Sequence, residues 1–232
     1  TTGKENIIIG GNAGDALTTG NYNVAIGHEA LSAEDGHGTN TAIGHLTLRV
    51  QNAGADAYNT AVGYLAGTAV STGIRNTLVG SNAGDAITTG DYNVAIGYHA
   101  LSAEDGNGKN VAIGTNALYI QNAGAEAYNV AIGYDAGLSV TTGIRNILIG
   151  GHAGDALTTG SYNVAIGHNA LSTEDAYGTN IAIGYATLAA QDAGADAYNV
   201  AVGHEAGAAV TTGIRNTLIG GLAGDALTTG SD

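Results

Sequence analysis

Five residues past a recurring Asn, the side chains best suited to chemistry gather in one column: His28, His45, Tyr64, Tyr98, Tyr134, His168, Tyr185 and His204. Imidazole and phenol offer flat rings and hydrogen bonds, so an exposed file of them suits a surface-binding stripe for glycan. The competing reading is a solvated or inter-chain packing stripe. Imidazoles meeting on a symmetry axis would also suit an anion or a metal. Neighbouring columns supply no fixed carboxylate, however, and a metal site needs a defined ligand set. No metal or cofactor is expected.

Other side chains read more plainly. "AED" from Ala33 and Ala103, and "TED" from Thr173, pair acids in Gly-rich turns. Such pairs suit Ca²⁺, but the spacing matches neither calcium β-rolls nor an EF-hand loop, so surface acidity is expected. "TTG" from Thr18, Thr88, Thr141, Thr158, Thr211 and Thr228 invites an ice-binding reading. The "QNAG" and "AEDG" coils interrupt that file. No nucleophile, base and orienting group recur together, so no enzyme is expected.

These columns exist because the chain repeats itself. Units begin at Asn6, Asn23, Asn40, Asn59, Asn76, Asn93, Asn110, Asn129, Asn146, Asn163, Asn180, Asn199 and Asn216. Their spacing is 17, 17, 19 and 17, which makes a 70-residue super-repeat across a single repeat region, 1–232. The phrase "NVAIG" lacks a helical period, and its β-branched residues favour a strand. Val24 and Ile26 share one face and Ala25 the other; Gly27 permits a bend. "HEALS" from His28 suggests a second short extended piece, and "AEDGHGT" a turn.

One strand and a return at constant period is a β-solenoid coil. In such a stack each buried residue meets its own copy, and asparagine amides form a ladder by donating to one neighbour and accepting from the next. The thirteen Asn are therefore expected inward and structural. Just before each Asn, Tyr alternates with Arg75, Lys109, Arg145, Arg215 or Thr. That alternation predicts cation–ring contacts of about 0.5–1 kcal/mol each.

Composition agrees. There are 39 Gly and no Pro, Cys, Met, Trp or Phe, so the interior must be built in thin layers of Ala, Val and Ile. Without Cys there is no disulfide framework or thiolate metal site. A net charge of −14 opposes nucleic acid and anionic membrane, and no apolar run approaches the ~18 residues of a membrane span. A lone thin roll buries little apolar surface, and both faces of "VAI" are apolar. A homo-oligomer, most simply a trimer, follows. The repeat runs to both ends without a polar cap, which suggests a segment of a longer fibre.

"NVAIG" and "NTAIGH", followed by "AL" or "AG", resemble the head repeats of trimeric autotransporter adhesins and the repeats of phage tail fibres and tail spikes. The resemblance implies a trimeric β-roll on a virion or cell surface, with adhesion or receptor binding as its role. The sequence thus predicts an all-β, parallel β-solenoid of thirteen coils, homotrimeric, extracellular or on a virion, and giving reach and attachment to a host surface. The alternatives are a self-assembling filament built by end-to-end stacking, and an ice-binding solenoid.

Overall fold

The computed structural model describes residues 2–231. The chain is an all-β parallel β-solenoid of about thirteen turns, with no helix among the described residues. It forms two compact units. The first reaches to Asn110 and takes in Gly124–Glu126; the second comprises Val111–Ala123 and continues from Ala127. The first carries β1 (Ile7–Ile9), β2 (Val24–Ile26), β3 (Thr41–Ile43), β4 (Thr60–Val62), β5 (Thr77–Val79) and β6 (Val94–Ile96). The second carries β7 (Val111–Ile113), β8 (Val130–Ile132), β9 (Ile147–Ile149), β10 (Val164–Ile166), β11 (Ile181–Ile183), β12 (Val200–Val202) and β13 (Thr217–Ile219).

Within each unit, consecutive strands pair in parallel with equivalent residues opposed: Val24 faces Thr41, Ala25 faces Ala42 and Ile26 faces Ile43, and β10 meets β11 in the same register. The middle residue of the strand points into the coil. Ala25, Ala42, Leu78, Ala131 and Leu148 are fully buried, whereas Val24, Ile26, Val130 and Ile132 remain half-exposed.

The 70-residue super-repeat has a packing cause. Where the middle strand residue is Ala, as in β2 and β3, Leu31 and Leu48 fill the coil from eight positions after the Asn. Where it is Leu78, that later position is Gly both in its own coil (Gly84) and in the preceding one (Gly67). A methyl group on Gly67 would lie 2.6 Å from Leu78 Cδ1, and one on Gly84 would lie 2.8 Å from Cδ2. Leu148 sits between Gly137 and Gly154 in the same way. One bulky residue at the strand is thus traded against one at the corner, keeping interior volume nearly constant.

The predicted second extended piece is absent. Residues 28–33 form a turn in which alternate residues are left-handed, with φ of 53° at both Glu29 and Leu31. A left-handed residue costs about 1–2 kcal/mol, but fully burying Leu31 returns about 1.5–3 kcal/mol, so the corner tolerates a leucine.

The asparagines line up inward as expected, and those from Asn23 to Asn216 are at most 6% exposed. Their bonding differs from an amide-to-amide ladder. Within each unit, the Oδ1 accepts from the backbone N–H of the next Asn: Asn23 N donates to Asn6 Oδ1 at 2.8 Å, and Asn146 N donates to Asn129 Oδ1 at 2.8 Å. In most coils the Nδ2 donates to a carbonyl 14 residues on, as from Asn6 to Gly20 O and from Asn129 to Gly143 O, whereas Asn40 and Asn110 turn theirs to a glutamate of the preceding coil. Where both bonds form, the residue clamps the two ends of its own coil while capping the next; an amide-to-amide bond occurs from Asn216 Nδ2 to Asn199 Oδ1 at 3.2 Å. Replacing Asn129 with Ala leaves the Asn146 N–H and the Gly143 and Gln121 oxygens short of a partner. The expected loss is about 1–3 kcal/mol, read by urea unfolding.

Candidate functional site

The glycine that ends each strand turns the chain outward, and the next residue occupies the predicted stripe. All eight of its His and Tyr residues are exposed. In the first unit His28, His45 and Tyr64 form one file, with ring centroids 5.3 Å apart at each step and planes within 14° of parallel. Tyr98 instead meets His99 edge-on at 4.1 Å. In the second unit His168, Tyr185 and His204 stack at 5.8 and 5.1 Å, while His152 stands edge-on to Tyr134 and His168. Because stacked rings turn their faces to one another, each file offers solvent mainly its edges. Ring nitrogens and phenol oxygens are therefore its main binding groups.

The alternating Tyr and basic column also forms. Arg75 Cζ lies 5.9 Å from the Tyr58 ring centre and 5.3 Å from that of Tyr92, and Arg75 donates to the Tyr92 hydroxyl. Arg145 is placed alike between Tyr128 and Tyr162. Lys109 pairs with Glu126.

Two polar groupings beside the stripe were not visible in the sequence, because their members come from different coils. In the first unit Ser102 Oγ donates to Asp85 Oδ1 at 2.5 Å and lies 3.2 Å from His99 Nδ1. The serine sits in the middle with its proton directed at the carboxylate, whereas base-activated nucleophiles need the histidine in the middle. In the second unit His152 Nδ1 lies 3.3 Å from Asp155 and 3.9 Å from Asp135. Burial raises the Asp155 carboxyl above its ordinary value, and the neighbouring imidazole opposes that rise.

The expected surface acidity of "AED" needs correction. Asp35, Asp105 and Asp175 are exposed, but Glu34, Glu104 and Glu174 are fully buried. They stand eleven residues after an Asn, in the column that elsewhere holds Val70, Ile87 and Leu157, so the coil geometry turns them inward. In the next coil the same column holds Gln51, Gln121 and Gln191, also fully buried. Glu34 accepts from His37 N–H at 3.1 Å and weakly from Asn40 Nδ2 at 3.5 Å. Glu104 accepts from Asn107 N–H and from Asn110 Nδ2 at 3.2 and 3.4 Å. Loss of water pushes the Glu104 carboxyl up to about 7, with the Asn107 N–H opposing and Asp105 adding. Glu34 is raised for the same first reason.

No helix among the described residues is long and apolar enough to cross a membrane. No protein-family model, curated protein or solved structure matches the chain.

Proposed function

We propose that the chain is a structural fibre or adhesin segment, of a virion tail fibre or a cell-surface appendage, in which copies of the chain pack through the outer face of the strands. The observation that carries this reading is that face. The third strand residue is Ile or Val in every strand, including Ile132, Ile149, Ile166 and Val202, and the first residue is Val, Ile or Thr. Ile147 and Ile181 are 40% and 37% exposed. A sheet face carrying an unbroken column of Ile and Val is normally covered. A second and third copy carry the same face at the same pitch, which makes three chains about a common axis the simplest cover. The His and Tyr files then remain outward, where their edges suit the hydroxyl groups of a host-surface glycan.

Sedimentation equilibrium tests the packing. Three chains of 22.8 kDa give 3 × 22.8 = 68.4 kDa, constant with concentration. Placing lysine on the face in the double variant Ile132→Lys, Ile166→Lys is expected to reduce the mass to that of one chain. A wild-type mass of one chain overturns the trimer, and mass that grows without limit favours the end-to-end filament. Thermal hysteresis in the wild-type protein would favour ice binding. Attachment is tested on a glycan array, where His168→Ala combined with His204→Ala is expected to abolish a signal that the wild type gives.

A further inference from the structure

Among its differences from the first two, the third super-repeat carries Asp192 at an exposed turn position where the earlier copies have Asn52 and Asn122. We infer that this substitution completes a site for one divalent cation of the calcium type, formed by Glu174, Asp175 and Asp192. One carboxylate oxygen from each of the three lies within 4.8 Å of the other two. A single Ca²⁺ spans that spacing, since its oxygen ligands stand at about 2.3–2.6 Å from the ion.

A second observation separates this group from ordinary surface acidity. Glu174 is fully buried, and its Oε2 has no hydrogen-bond partner. In the first two super-repeats the equivalent oxygen accepts from an asparagine, Asn40 or Asn110. In the third, Asn180 Nδ2 is likewise without a partner. The weak internal bond is therefore lost in the one copy that has gained an acid beside the glutamate. Glu174 Oε1 is held by Tyr177 N–H at 3.3 Å, which fixes the carboxylate. Asp196 stands nearby, its Oδ1 taken by Gly178 N–H at 3.0 Å. Among the described residues, none of these four acids has an ion pair with a basic side chain. Carboxylates gathered without a counter-charge repel one another, a stress that a bound cation relieves.

The repeat supplies its own controls. Titration calorimetry of the metal-free wild-type chain with CaCl₂ at pH 7.5 is expected to show one ion per chain, at a Kd of about 10⁻⁴–10⁻³ M as in extracellular calcium modules. Asp192→Asn restores the residue of the first two copies, so it is compatible with the fold, and is expected to weaken binding at least tenfold. Asn52→Asp rebuilds the trio with Glu34 and Asp35 and is expected to raise the stoichiometry to two. No binding by the wild type, binding unchanged in Asp192→Asn, or no second ion in Asn52→Asp would each overturn the site.

Discussion

Replacing Gly44 with alanine is expected to destabilise the chain by about 3–5 kcal/mol, the largest effect of any single methyl group considered for it. Two penalties coincide there. The backbone is at φ +140°, a region that side chains rarely adopt, and the added carbon would be driven into the carbonyl of Gly63 on the next coil. That carbonyl cannot swing away freely. Thr47 Oγ1 donates to it at 2.6 Å, and Gly63 N–H donates to Ile43 O at 2.8 Å. Gly54 provides the contrast: it has φ +69°, with nothing within 4 Å of an added carbon. Its alanine variant should lose only about 1 kcal/mol. Urea unfolding of the two variants measures the difference. Equal losses would mean that coils are not stacked as closely as described.

The second large effect is on pH dependence. The buried Glu104 carboxyl titrates at about 7 in the folded chain and near 4.5 when unfolded. The folded state therefore holds the proton more tightly. Its stabilising contribution is complete below about pH 4.5, declines as pH rises and is gone above about 7. The wild-type protein should be more stable at pH 5 than at pH 8, with this one group accounting for about 2–3 kcal/mol. Glu104→Gln removes the titration while keeping the shape, and Gln51 shows that the interior accepts an amide in this column, bonded to Asn59 Nδ2 at 2.8 Å. The variant should match wild type at pH 5 and exceed it at pH 8. A variant that is weaker at pH 8 would show that the carboxylate is paired and stabilising, contrary to this account.

Much of the fold was legible because a parallel stack makes sequence equivalence and spatial neighbourhood the same thing. The Asn spacing marks the strands and their register, and the Tyr column marks the contacts of Arg75 and Arg145; that Ala25 rather than Val24 and Ile26 turns inward comes from the structure, because the whole "VAI" segment is apolar on both faces. Legibility failed where a residue's type argued against its column. Glu34, Glu104 and Glu174 read as surface acids because glutamate usually is one. Comparing them with Val70 and Ile87 eleven residues after their own Asn would have placed them inside. The turn after Gly27 looks extended in the sequence because "HEALS" carries no glycine to signal a left-handed corner, and tertiary burial of Leu31 overrides that local preference. The groupings around His99, His152 and Glu174 join residues from different coils, so their distances depend on how tightly one coil sits on the next, which spacing along the chain does not encode.

Native-state amide hydrogen exchange on the Asn129→Ala variant tests the central claim most directly, namely that each asparagine secures the backbone of the following coil. The account predicts that the Asn146 amide, which donates to Asn129 Oδ1, is protected in the wild type and exchanges much faster in the variant. The Asn216 amide, bonded to Asn199 Oδ1 further along the same unit, should keep its protection. Undiminished protection at Asn146, or an equal loss at both amides, would contradict it.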